Sequence, residues 1–327
     1  MRPRVSFAQR AGYLAGRALL EALALLPTRS ARSLGRRLGL LFFRLSARHR
    51  RVALQNIAAA FGDRLDAESR RTLARASFGH LGMIASDAPL FARHLKVPLA
   101  HVACVEGEEH LRAAAALGRG VLVFSGHYGH WELVALLQPL LGVPMTMVVS
   151  PMRNPWYDRY FARLRGLSGN TILSKRNAAP AILRALRGKR AVAILIDQNV
   201  RGDGGIFIDF FGRKASTTPA LATLALRSGA PMVPVFSRFL PDGRLGISYR
   251  PAILPAPTGA LEEDIRALTQ ACTSLLEEEI RRHPDCWLWM HDRWRTQPRG
   301  RAAGEADQVV GAGQQAGHIA GGREARA

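Results

Sequence analysis

The stretch SGHYGHWEL at 125–133 brings two histidines, two glycines, a tryptophan and a glutamate together directly after the apolar run VLVF. A histidine held by a carboxylate is a general base: the carboxylate fixes the tautomer and stabilises the imidazolium that forms when a proton is taken. His127 and Glu132 are the candidate pair. On a continuous helix their spacing would put them about 140° apart. They meet only if a turn folds His127 back over the helix start, and Gly126 and Gly129 provide backbone freedom for that turn.

A nucleophile is harder to find. The chain contains no G-x-S-x-G elbow, and none of Cys104, Cys272 and Cys286 stands in a local nucleophile motif. The base is therefore directed to a hydroxyl of the substrate itself, with the N–H groups of the helix start available to a developing oxyanion. Two competing readings stay open. His127, His130 and Glu132 could ligate a metal, but the order is not H-E-x-x-H and no third ligand cluster accompanies it, so no metal is expected. His127 could also simply pack, as is expected of His130 and Trp131 at the helix start.

The elements that must position these residues follow an α/β alternation from GRGVLVFSGH onward. Strands are expected at 121–125, 145–150, 171–173, 191–197, 231–238 and 244–250. Helices are expected at 129–141, 154–166, 178–188, 217–229 and 260–282. His127 then lies just past the carboxyl end of a strand, where open α/β sheets carry their ligands. Asp197 and Gln198 close the run AILIDQ and should face the same crevice; the competing reading for them is a helix cap or turn.

The 327 residues are 48% hydrophobic, ample for a large core, and carry 46 Lys+Arg against 25 Asp+Glu, a net charge of +21. Only four of the cations are lysines. Such a balance favours an anionic partner: a membrane surface, a nucleic acid or an acidic carrier protein. The three scattered cysteines fit a reducing compartment better than a disulfide framework. No uninterrupted apolar run reaches the ~18–20 residues of a spanning helix.

Residues 1–51 hold twelve arginines and one glutamate among dense leucines. Arg10, Arg17 and Glu21 form one helical stripe, and Arg37, Arg44, Arg48 and Arg51 form another, with leucines elsewhere on each helix. The pattern reads as a pair of basic amphipathic membrane-anchoring helices, against the alternative of ordinary surface helices packed on the core. Residues 52–296 would form the α/β domain, the part up to 118 being mainly helical and without evident chemistry. Residues 297–327, rich in Gly, Ala and Gln, read as a disordered tail.

Taken together the motifs resemble the lipid A biosynthesis acyltransferase branch of the lysophospholipid acyltransferase superfamily. The resemblance rests on the His-x4-Glu of His127 and Glu132, on RRVALQNIAAAFGD at 50–63, SPMRNPWYDRYFARLRG at 150–166, the long block at 194–236 and HPDCWLWMHDRWRT at 283–296. It implies a central mixed β-sheet flanked by helices, as in glycerolipid acyltransferases. It also implies transfer of a fatty acyl group from an acyl carrier protein or CoA thioester to a hydroxyl of an anionic glycolipid, a lipid A precursor. The place implied is the cytoplasmic face of the inner membrane, and no cofactor is implied. By resemblance His127 is the base and Glu132 its orienting partner. One or more of Arg153, Arg163 and Arg165 binds phosphate, and Asp197 and Gln198 belong to the substrate site. His130 departs from the asparagine of many relatives, and Arg17 and Glu21 interrupt the first apolar segment. The alternatives are an acyl-CoA-dependent glycerolipid or phosphoglycolipid acyltransferase, a hydrolase of the same fold, and a nucleic-acid-binding protein; against the last, no nucleic-acid motif is present.

Overall fold

A computed structural model describes residues 7–298 apart from 153, 176 and 177, with side chains from residue 10 onward. The tail expected to be disordered lies almost wholly outside the described residues.

Four long helices lead: α1 (Phe7–Ala24), α2 (Thr28–Leu45), α3 (Ala47–Phe61) and α4 (Ala67–Asp87). Two single-turn helices, α5 (Phe91–His94) and α6 (Leu99–Val102), then join β1 (Ala103–Glu106) and α7 (Glu108–Ala116). The alternating part runs β2 (Val121–Ser125), α8 (Trp131–Leu137), β3 (Met145–Val149), α9 (Pro155–Arg165), β4 (Thr171–Ser174), α10 (Ala179–Arg187) and β5 (Ala191–Leu195). After a hairpin, β6 (Ile206–Phe210) and β7 (Arg213–Thr217), come α11 (Ala220–Ser228), β8 (Met232–Phe239), β9 (Leu245–Tyr249) and α12 (Leu261–Arg282).

The main sheet has the order β1-β9-β8-β2-β5-β3-β4. It is mixed: β8 and β9 pair antiparallel, while the other neighbours are parallel. β2 lies inside the sheet between β8 and β5, and every residue of VLVFS is buried, as a central strand of a parallel sheet covered on both faces requires. One core cluster joins Leu122, Phe124 and Ile194 to α12 and to Trp287 and Trp289; the other joins Val121 and Val123 to α8. The fold is thus α/β with a central sheet flanked by helices.

The six expected strands are all present. Three further strands were not foreseen. β1 is only four residues long and sits at a sheet edge, too short for a period-2 pattern to stand out. The β6/β7 hairpin is joined by Phe211 and Gly212, both at positive φ (56° and 71°), the two-residue turn that matches strand twist. The expected helix at 129–141 is shorter as an α-helix, ending at Leu137 and continuing as a 3-10 turn through Leu141.

α2 packs on α4 through Arg32, Gly35, Gly39 and Phe43, while Ala31 packs with Leu23 and Leu90. The glycines allow close approach: a Cβ at Gly39 would stand 2.1 Å from the Phe78 carbonyl oxygen, and one at Gly82 would stand 2.0 Å from that of Gly35. The leucines are left outside, with Leu34 37%, Leu41 46% and Leu45 75% exposed. α3 runs unbroken through positions 51 and 52, where the sequence suggested a division between anchor and α/β domain. Arg32 enters the interior and forms a two-pronged ion pair with Asp87 at the end of α4, at 3.0 and 2.6 Å. Among the described residues, no helix is long and apolar enough to cross a membrane.

Candidate active site

β2 and β5 are parallel neighbours in which Ser125 stands opposite Leu195. Two residues beyond each partner come His127 and Asp197, so the same step out of adjacent strands, about 4.8 Å apart, brings the two side chains together. Asp197 Oδ1 lies 2.8 Å from His127 Nδ1, and Asp197 Oδ2 accepts the backbone N–H of His127 at 2.8 Å. The Trp287 indole N–H donates to the same Oδ2 at 2.8 Å.

A carboxylate only accepts, so the proton on the imidazole sits on Nδ1 and the lone pair on Nε2. Gln198 Nε2, a donor, lies 3.2 Å from that lone pair. Asp197 is buried, yet the charge and hydrogen bonds of His127 and the indole of Trp287 hold its pKa well below the usual carboxylate range. Burial opposes the charged imidazolium of His127, but the charge and hydrogen bond of Asp197, with Glu132 adding at longer range, outweigh it and raise the histidine's pKa.

The carboxylate on His127 is therefore Asp197, where the sequence reading had placed Glu132. Glu132 lies in the first turn of α8, and Arg165 at the end of α9 takes both its oxygens, at 2.8 and 2.5 Å. A bidentate fork of this kind commits the carboxylate. Both side chains are largely buried, at 16% and 14% exposure. Burial opposes the charge on Arg165, but the hydrogen bond and attraction of Glu132 prevail and raise its pKa. Arg163 lies exposed on α9, away from this pair. Arg153 lies outside the described residues.

The turn that carries His127 is held from the C-terminal segment. Gly129 N–H donates to Cys286 O at 2.9 Å and Leu288 N–H to His127 O at 3.1 Å. Gly129 has φ +58°, and a Cβ there would stand 1.8 Å from Ser237 O. Gly126 acts differently: a Cβ there would crowd Leu276 at 2.9 Å and Asp197 Oδ2 at 3.1 Å, so it allows close approach rather than an unusual conformation. The indole of Trp131 meets the His127 ring edge-on, 5.2 Å between centroids. Beside it a small apolar cavity of about 30 Å³ is lined by Phe124, Tyr128, Trp131, Val134 and Ile194 among others.

His130 packs, as expected, but with a polar partner. Its Nδ1 accepts the N–H of Leu133 at 3.2 Å, and its Nε2 lies 3.2 Å from Asp87. Burial keeps its pKa low despite that carboxylate. Trp287 stands in the closing block at 283–296 but was not expected as a site residue; the structure brings its indole N–H to Asp197. Among the described residues, no group of three or more His, Cys, Asp or Glu is arranged to hold a metal.

An imidazole whose Nε2 meets the Gln198 amide, in a crevice at strand ends and beside a buried Glu–Arg pair, has the geometry to take a proton from a hydroxyl that displaces that amide. Comparison with known proteins points the same way. Residues 1–296 match the family described as bacterial lipid A biosynthesis acyltransferase. The lipid A biosynthesis lauroyltransferase of Escherichia coli (strain K12) is 27% identical over 274 residues, covering 82% of this chain and 86% of the relative. The lipid A biosynthesis palmitoleoyltransferase of the same organism is 28% identical over 271 residues, covering 83% and 86%. A phosphatidylinositol mannoside acyltransferase of Mycobacterium tuberculosis (strain CDC 1551 / Oshkosh) is 26% identical over 195 residues, covering 58% and 59%.

Proposed function

The chain belongs to the bacterial lipid A biosynthesis acyltransferase family and is an acyl-transferring enzyme; from that premise we propose that it moves a fatty acyl chain from an acyl carrier protein thioester to a hydroxyl of a lipid A precursor. The observation that carries the reading is the His127–Asp197 pair, with Nε2 facing Gln198 at the carboxyl end of the central strands.

In this reading His127 Nε2 takes the proton of the acceptor hydroxyl as its oxygen attacks the thioester carbonyl carbon. The tetrahedral intermediate collapses, the C–S bond breaks, and the thiolate leaves with the proton returned from His127. Asp197 holds the Nδ1–H tautomer and stabilises the imidazolium between the two transfers. Glu132 adds its charge to His127 at longer range and keeps Arg165 in place. Arg165 has further N–H donors beyond the two on Glu132, and we assign it the phosphate contact of donor or acceptor. Arg153 and Arg163 are secondary candidates. Gln198 positions the acceptor hydroxyl on Nε2, with the indole of Trp131 against the imidazole edge.

The enzyme works at the cytoplasmic face of the inner membrane in this reading. The support is the exposed Leu14, Leu19, Leu34, Leu41 and Leu45 of α1 and α2, interleaved with arginines. A phosphoglycolipid acceptor is the second reading, favoured by the likeness to a phosphatidylinositol mannoside acyltransferase.

The test uses purified wild type and a folded His127→Ala variant. Each is incubated with acyl carrier protein or CoA thioesters and with lipid A precursor or phosphatidylinositol mannoside, and products are read by mass spectrometry. Acylated lipid A precursor from the wild type alone supports the proposal. Product only on the mannoside moves the acceptor to the second reading. Thioester loss without any acylated lipid would overturn transfer in favour of hydrolysis.

A further inference from the structure

Away from the catalytic crevice, a cleft of about 180 Å³ opens between α2 and α4, lined by Leu40, Phe43, Arg44, Arg71 and Arg75. None of the residues assigned to catalysis lines it. Arg71 and Arg75 are one helical turn apart on α4, so they project side by side, and Arg44 faces them from α2. Among the described residues, none of these three guanidinium groups has an ion pair or a side-chain hydrogen bond to an acidic group. A fourth, Arg50, is committed: it donates to the carbonyl oxygens of Phe43 and Arg44 at 2.7 and 2.8 Å and closes the end of α2.

Uncompensated like charges gathered around a concavity repel one another, and an anion placed among them relieves that repulsion. Guanidinium groups match phosphate oxygens in geometry as well as charge. The cleft is not purely polar. Phe43 is buried at its base under Arg71, whose guanidinium carbon lies 5.9 Å from the ring centroid, and Leu40 forms a wall. Beside it the exposed Leu41, Phe42 and Leu45 extend an apolar surface along the same helix. A phosphate with hydrocarbon attached satisfies both parts at once, whereas an acidic protein surface would leave the leucines in water.

We propose that the Arg44/Arg71/Arg75 cleft is a binding site for the phosphate headgroup of an anionic membrane phospholipid, with its acyl chains lying along Leu41, Phe42 and Leu45. The proposal rests on the membrane reading given above. It adds a headgroup site on α4, distinct from the site of acyl transfer, that sets how α2 lies on the bilayer.

The test compares full-length wild type, Arg71→Gln/Arg75→Gln, and Arg48→Gln/Arg51→Gln as a control with the same charge loss on the neighbouring basic surface. Each is titrated with vesicles of phosphatidylcholine alone or with phosphatidylglycerol added, and circular dichroism verifies the fold. The cleft variant should lose binding to phosphatidylglycerol vesicles about tenfold, and the control less than about threefold. Short-chain, monomeric phosphatidylglycerol should bind the wild type saturably and protect it against heat, without doing so for the cleft variant. Equal losses in the two variants would reduce the effect to diffuse charge and overturn the site. An unchanged vesicle affinity with weakened binding of acyl carrier protein would overturn it in favour of protein docking. Absence of wild-type binding to anionic vesicles would overturn the membrane reading and the cleft together.

Discussion

Asp197 stands 2.8 Å from Nδ1 of His127 across seventy positions of sequence, because each follows by two residues the end of one of two paired parallel strands. The nearer carboxylate in sequence, Glu132, is held by Arg165 instead.

Replacing Asp197 with asparagine should lower transfer by about 10²–10⁴-fold, the range for a lost acid–base contribution. The pH profile gives the sharper check. The working base is neutral His127, so kcat/KM rises with pH through its raised pKa, above the ordinary value of about 6.5. Without the Asp197 charge that limb should move down. The stability linkage has the opposite course. The imidazolium–Asp197 attraction is fully present below about pH 6.5 and is lost as pH rises through the folded-state pKa. A limb that stays in place in Asp197→Asn would remove Asp197 from contact with the base.

Arg165→Ala should reduce activity far more than Arg163→Ala, since Arg163 lies exposed while Arg165 holds Glu132. Freeing the Glu132 charge near His127 favours the imidazolium, so the limb should move up, opposite to its shift in Asp197→Asn. Steady-state profiles of the variants decide the sign.

Trp287→Phe keeps an aromatic core residue but removes the indole N–H from Asp197 Oδ2. A hydrogen bond to a charged group is worth about 1.5–3 kcal/mol, so activity should fall roughly 10–100-fold at constant KM. Thermal unfolding together with kinetics separates this from general loss of packing.

Gly39→Ala tests the α2–α4 contact. Alanine improves helix propensity by about 0.8–1.0 kcal/mol, but its Cβ would meet the Phe78 carbonyl at 2.1 Å. Overpacking of about 1–3 kcal/mol or more should win. Gly12→Ala in α1, where a Cβ meets nothing within 4 Å, should stabilise instead. Denaturant titrations give both signs.

Asp87→Ala would leave Arg32 buried without its charge partner, since the two side chains are only 0% and 7% exposed. Breaking a buried pair this way costs about 3–5 kcal/mol. An unfolding midpoint unchanged from the wild type would show that water reaches Arg32.

Much of this was legible in the chain itself. Apolar runs and period-3.6 patterns located six strands of the main sheet and the helices from α8 to α12, because burial on a strand or helix face writes itself locally, while 52–118 was legible only as mainly helical. His127 at a strand end and Asp197 with Gln198 at another were also readable, since the run before each is apolar and short. Tertiary structure decided what met what. Register between β2 and β5 depends on side-chain packing across the whole sheet, and it gave Asp197 to His127 and left Glu132 to Arg165. The sequence offered α2 as a membrane-facing helix without saying which side meets the protein; Gly35 and Gly39 allow a close backbone approach to α4, so the helix is buried on the glycine side and the leucines stay exposed. Trp287 reaches the site only because the segment after α12 folds back across the turn at 127–129. Local sequence encodes the faces of elements; which faces and which strand ends come together is settled by the packing of the whole chain.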